Sequence, residues 1–230
     1  MTNAVATLAQ WDTPTICNAL ELVVPNRRGH GFTSEPFVLA DADMPAIVGY
    51  VRTARIRARA PSDKSAEDMA AQRLAYYDYI ANGGEGPSIV VIEDMDETPG
   101  YGAFWGEVSS AIHHGLGCQG CVTNGSFRDL EEWAPGFQML GGRVGPSHAH
   151  VHLVDFGGEV TVHGMAAKDG DILHADRHGA VIVPKDAVAA LPEVVALCMR
   201  REEPVLAAAR SDGFDIAKLK KAMGSAKDIH

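Results

Sequence analysis

Glu107, in Trp105-Gly106-Glu107-Val108-Ser109, is followed after twenty intervening residues by Arg128-Asp129-Leu130-Glu131-Glu132. A guanidinium and carboxylates in such positions have the chemistry of a metal-assisted enolate reaction on an oxo-acid, in which positive charge takes up the charge developing on oxygen. Gly106 to Ser109 reads as the first turn of a helix running to about His114. The amides of Val108 and Ser109 then lack intrahelical acceptors and form a carboxylate-sized anion site. If a second helix opens near Arg128, Asp129 and Glu132 share a face three residues apart, and Arg128 and Glu132 lie four apart. The same spacing also suits an ordinary exposed ion pair, with Asp129 and Glu107 as first-turn residues favoured by the helix dipole.

The chain of 230 residues, 46% hydrophobic and 22% charged, has the size and composition of one globular domain over residues 1–230, with residues 185–230 as a helical segment. A net charge of −10 argues against a nucleic-acid or anionic-membrane surface, which wants clustered Lys and Arg. Arg55, Arg57 and Arg59 alternate and so share one strand face, either solvated or at a subunit contact or substrate rim. No basic leader or membrane-length apolar run stands in the sequence, so a cytoplasmic, reduced protein is expected. Cys118 and Cys121 form a lone C-x-x-C; on a regular strand their offset points them to opposite faces, as buried core thiols rather than a zinc site.

Asp12-Thr13-Pro14 supplies a cap and a first-turn proline for a helix ending before Pro25. Further elements are expected as strands near 46–59, a helix over 65–81 stopped by Gly83-Gly84, and a buried strand over 88–93. Strands follow near 120–123, 137–140, 151–156, 159–163, 171–175 and 180–183. From Asp186 the pattern is helical, with a kink or break at Pro204, and a last helix spans about 215–223. This order argues for an α/β fold. His148, His150 and His152 alternate as transition-metal ligands on a strand sometimes do, making them the rival metal site; an interface or exposed strand face is the other reading. His113 and His114 would compensate a helix dipole. His174 and His178 flank a hairpin turn without assigned partners.

The segment Trp105 to Pro184 resembles the family of class II 4-hydroxy-4-methyl-2-oxoglutarate aldolases and regulators of ribonuclease E activity, the RraA-like proteins. The resemblance rests on Glu107, Arg128-Asp129 and Glu132, on Gly117-Cys118-Gln119-Gly120-Cys121-Val122-Thr123-Asn124-Gly125, and on the hairpin from Gly170 to Pro184. Asp12-Thr13-Pro14-Thr15 and Cys17-Asn18-Ala19-Leu20 are similar to the family's opening. It implies a swivelling β/β/α domain with C-terminal helices, assembled as a trimer or hexamer. It also implies a pyruvate-releasing aldolase acting on a 4-hydroxy-2-oxo di- or tricarboxylic acid with Mg2+ or Mn2+, and oxaloacetate decarboxylation through the same pyruvate enolate. Arg128 and Glu107 would be catalytic, and Gly106, Glu107, Val108, Ser109 and Arg128 would bind substrate. Asp129 would be the direct metal ligand and Glu132 a ligand through water, completed by Glu202 or Glu203 of a neighbour. Lys168 and Lys185 lie outside the motif, so no Schiff-base lysine is called for. Two residues depart from the family pattern: Glu107 stands where Asp is usual, and Asn124 where an acid is frequent. The alternative from the same family is a non-catalytic regulator that docks on ribonuclease E or a helicase.

Overall fold

α1 (Thr2–Thr7) leads through a 3-10 turn into α2 (Thr13–Val23) in the computed structural model, which describes residues 2–229. The Asp12 carboxylate caps α2 by accepting from the Thr15 amide at 2.9 Å, and Pro14 sits in the first turn, where no N–H is needed. β1 (Val38–Leu39) and β2 (Ile47–Arg57) precede α3 (Ala66–Ala81), whose cap is the Ser65 hydroxyl, accepting from the Asp68 amide. Then come β3 (Ser88–Asp94), β4 (Ala103–Trp105), α4 (Glu107–Gly115), β5 (Cys118–Thr123), β6 (Ser126–Phe127) and a 3-10 turn at Leu130–Glu132. β7 (Gln138–Gly141), β8 (Arg143–Val144), β9 (His152–Phe156), β10 (Val160–Val162), β11 (Met165–Ala167), β12 (Ile172–Asp176) and β13 (Gly179–Val183) follow. α5 (Leu191–Ala209) and α6 (Ile216–Lys227) close the chain.

β2, β3, β5 and β7 form the parallel centre of a mixed sheet, with β1 antiparallel at one edge and the β12–β13 hairpin antiparallel at the other. The length of β2 lets it carry two partners on one edge, β12 along Ile47–Tyr50 and β9 along Ala54–Arg57, and the sheet curls into a half-barrel. α2 and α5 pack Ile16, Leu20, Leu191 and Val195 against Val48, Ile172 and Val181. On the other side Tyr76 and Ile80 of α3 pack against Val90, Ile92 and Cys121. Each such side chain contributes about 1.5–3 kcal/mol by leaving water. No helix among the described residues is long and apolar enough to cross a membrane.

Local geometry corrects three expectations and narrows a fourth, the kink or break at Pro204. Cys118 and Cys121 are both buried in one apolar cluster, because the β3–β5 register slips at Gln119 and the extra residue turns both thiols to the same side. α5 runs through Pro204 without ending; the proline forgoes one backbone bond where the neighbouring Glu202 and Glu203 are exposed. His148 and His150 lie in a turn around Ala149, at φ +45°, and only His152 belongs to a strand. No regular α-helix opens at Arg128: Asp129 adopts a left-handed conformation, φ +58°, and only a 3-10 turn follows. Among the outward-facing arginines, Arg55 forms a two-pronged pair with Asp155 across the β2–β9 edge, and Arg59 lies over the Tyr101 ring.

Candidate active site

A small parallel sheet of β4, β6 and β8 projects beyond the carboxyl ends of the main strands and explains the twenty-residue spacing. Trp105 pairs with Phe127, so the two strands end side by side. One chain leaves through Gly106 into α4, the other through Arg128 and Asp129. The Arg128 amide donates to the Trp105 carbonyl at 3.0 Å, which locks the two exits together. The left-handed turn at Asp129 then directs its carboxylate back to α4, where Oδ2 accepts from the Glu107 amide at 3.2 Å and lies 3.5 Å from Arg128 Nε. Gly106 offers α4 no side-chain cap, so Asp129 caps the helix from a distant point in sequence. A Cβ at 106 would stand 2.4 Å from Asp129 Oδ2, so any larger residue there must shift the Asp129 carboxylate.

The Val108 and Ser109 amides have no hydrogen-bond acceptor among the described residues, which leaves them free to donate into the cleft. This turn is held firmly. The Ser109 hydroxyl donates to the Phe104 carbonyl, and the Ser110 hydroxyl donates to the Glu107 carbonyl and accepts from the Ala134 amide. Behind it, His113 is buried against Trp105, with ring centroids 4.5 Å apart. Its Nδ1 lies 2.6 Å from the Ser109 carbonyl, which can only accept, so Nδ1 carries the proton and Nε2 receives the Tyr76 hydroxyl at 2.8 Å. Burial lowers the His113 pKa to about 4. A neutral, buried ring cannot offset a helix dipole as a cation, which corrects the role expected for it.

Beneath the site, Asn124 uses both ends of its amide: Oδ1 accepts from the Asp94 amide at 2.7 Å and Nδ2 donates to the Asp94 carbonyl at 3.1 Å. An acid at 124 would lack that donor. The Asp94 carboxyl, its pKa raised by burial, accepts from the Gly100 and Asp96 amides. The departure at Asn124 therefore has a local structural reason.

A cleft of about 600 Å3 opens over these elements. Gly106, Glu107, Val108, Ser109, Arg128 and Asp129 all line it, so six of the seven residues singled out from sequence meet in one place. Glu132 does not line it; it is exposed in the turn beyond Asp129, its amide donating to the Asp129 carbonyl at 3.2 Å. His148, His150 and His152 line the same cleft. Yet among the described residues no three His, Cys, Asp or Glu side chains are grouped to hold a metal. A hard divalent ion that keeps several waters needs only one or two carboxylates. Asp129 Oδ1 has no hydrogen-bond partner among the described residues and Glu107 shares the cleft, so the donor set fits such an ion. Arg73 and Tyr77 of α3 also line the cleft, and sequence reasoning passed over both. The available signal was that Arg73 has no acid three or four residues away on its helix. Glu202 and Glu203 lie exposed on α5.

The family model described as RraA-like, Aldolase/RraA, matches residues 13–182. No curated protein matches the chain. Among solved structures, an uncharacterised protein from Pseudomonas syringae pv. tomato is 18% identical, with a TM-score of 0.70 over 98% of this chain and 94% of that one. Streptomyces coelicolor RraAS2, an unusual member of the RNase ES inhibitor RraA family, is 19% identical, with a TM-score of 0.66 over 88% and 93%. A chain described among novel cellulases from gut-associated microbes has 15% identity and a TM-score of 0.70 over 87% and 86%. These likenesses are of fold; the family match over most of its length shows that the chain belongs to the RraA-like, Aldolase/RraA family.

Proposed function

We propose that this member is a divalent-metal-dependent pyruvate aldolase, cleaving a 4-hydroxy-2-oxo di- or tricarboxylic acid and decarboxylating oxaloacetate through the same pyruvate enolate. The observation that carries the reading is the convergence of Asp129, Arg128 and the open first turn of α4 at one end of the cleft. The Val108 and Ser109 amides would hold the substrate's C1 carboxylate. Arg128 would grip the pyruvyl portion and stabilise the oxygen on which charge develops as the bond between carbons 3 and 4 breaks, with a planar fork that Lys could not reproduce. Glu107, through a water, would take the proton of the 4-hydroxyl. Asp129, by Oδ1, would hold Mg2+ or Mn2+ directly, with Glu202 or Glu203 of a neighbouring subunit completing the shell in a trimer or hexamer; the water-mediated role expected of Glu132 has no place in this reading, because Glu132 does not line the cleft. When bound, the ion supplies Lewis-acid polarisation of the carbon-2 carbonyl.

A lactate-dehydrogenase-coupled assay of pyruvate release, run with oxaloacetate and a panel of 4-hydroxy-2-oxo acids, tests this. Release that requires Mg2+ or Mn2+ and stops with EDTA is the expected result. Full turnover by metal-free protein in chelator overturns the metal-dependent reading, and absence of turnover on every substrate favours the regulator. An active monomer in sedimentation would contradict the shared site.

A further inference from the structure

The cleft is longer than the pyruvyl site just described, and its far part has a different character. Met69, Arg73, Tyr77, Val151 and His152 line both the cleft and an adjoining groove, whereas Arg128 and Asp129 line the cleft alone. Arg73 therefore stands where the cleft meets the groove, a boundary that Arg128 and Asp129 do not share. It is exposed and forms no ion pair or hydrogen bond among the described residues, and no Asp or Glu lines either the groove or this end of the cleft. Its charge is felt locally, because it works against the burial that raises the Tyr77 phenol. The turn facing it is built rigidly. Ala149, at φ +45°, donates its amide to the Ser147 hydroxyl at 3.0 Å, and the His150 amide donates to the Ala58 carbonyl at 3.1 Å. His152 Nδ1 lies 2.8 Å from the His150 carbonyl and must donate to it, which leaves Nε2 as the free ring nitrogen. A non-glycine residue held at positive φ persists only where its surroundings fix it, and such residues cluster at ligand sites.

We propose that Arg73 is the specificity-determining cation that holds a second carboxylate of the substrate, where the cleft meets the adjoining groove. This rests on the reading of the cleft as an oxo-acid site and deepens it by assigning the residue that separates dicarboxylic from monocarboxylic 2-oxo acids. A guanidinium without an internal partner in a concave site presents a fork of donors that a carboxylate can accept. The other guanidinium of the cleft, Arg128, is 3.5 Å from Asp129 and committed to the first end.

Calorimetric titration with 2-oxoglutarate and 2-oxobutyrate, which differ in the distal carboxylate, tests the assignment on the whole protein in Mg2+ without needing turnover. A charge-assisted contact of this kind corresponds to roughly a 10- to 100-fold preference for 2-oxoglutarate. Arg73→Met should erase that preference while leaving 2-oxobutyrate binding as it was, and Arg73→Lys should restore part of it. Because Arg73 is exposed and unpartnered, neither substitution disturbs folding, which the thermal midpoint of each variant checks. Equal binding of both acids to the wild type, equal loss of both in Arg73→Met, or binding of neither overturns the proposal. Pyruvate release measured in parallel separates the two readings: turnover without discrimination removes the Arg73 assignment alone, and discrimination without turnover removes the aldolase reading alone.

Discussion

Inside the sheet layers, His113 and His174 have both ring nitrogens engaged, His174 with the Thr13 hydroxyl on one side and the Leu8 and Trp11 carbonyls on the other. At the cleft, His152 and His148 each spend Nδ1 on a nearby carbonyl, and their Nε2 atoms have no partner among the described residues. The arginines divide in the same way. Arg52 is clamped by both oxygens of Asp169 and lies 3.5 Å over the Tyr79 ring, while Arg73 has no partner among the described residues and Arg128 has only Asp129 nearby. Residue type does not decide between structure and function here. The His113 and His174 rings and the Arg52 Nη atoms are paired because an unmet donor inside costs about 1–3 kcal/mol, with Arg52 Nε left over, whereas water can satisfy the cleft's groups until a ligand replaces it.

The sharpest break of this contrast is Asp129→Ala. If the cleft carboxylate anchors the ion, pyruvate release should fall roughly 1000-fold or more and lose its Mg2+ dependence, since Lewis-acid assistance is worth several kcal/mol. The lost cap on α4 should cost only about 1 kcal/mol in urea unfolding. A variant that unfolds instead would move Asp129 into the structural class.

His113 offers the converse test. Its folded pKa of about 4 lies below the ordinary value of 6.5, so the unfolded chain binds more protons between the two. Its neutral, buried state is fully compatible with folding above about pH 6.5, and stability is lost as pH falls toward about 4. The loss from this one group is on the order of 3 kcal/mol. Urea unfolding between pH 7 and 4 should show it, and His113→Gln should lose that part of the slope. An unchanged slope would show that the ring is not held neutral in the fold.

Gly106→Ala comes next. Its Cβ must displace the Asp129 carboxylate, and a misplacement on the order of 1 Å can cost about 100-fold in rate. A steady-state assay should show that fall with a nearly unchanged thermal midpoint, and wild-type activity would mean that the Asp129 position is not critical. The smallest effect expected is on metal affinity in His150→Ala. The half-saturating Mg2+ concentration should stay where it was, and loss of Mg2+ activation would make the histidine turn the true metal site.

Much of this was legible in the sequence where local rules decide. Asp12-Thr13-Pro14 and Ser65 start helices as their caps require, and α4 begins at Glu107, one residue inside the expected first turn, with Gly106 at its N-cap. Arg128-Asp129 is expected to open a helix and instead turns left-handed at Asp129. Its geometry comes from the two-residue strand β6 pairing with β4, and strands that short leave no periodicity to read. The shared side of Cys118 and Cys121 depends on a bulge, and the convergence of His148, His150 and Arg73 on the cleft depends on tertiary packing. Neither is written in local spacing.

Arg128→Lys tests the central claim most directly, because it keeps the charge and removes the planar fork. With saturating Mg2+, kcat should fall about 100- to 1000-fold for an aldol substrate and for oxaloacetate alike, with kcat/KM falling alongside, as expected for loss of a group that stabilises a shared enolate. Unchanged kcat with a raised KM would reduce Arg128 to a ground-state anchor, and a fall confined to the aldol substrate would contradict the common intermediate.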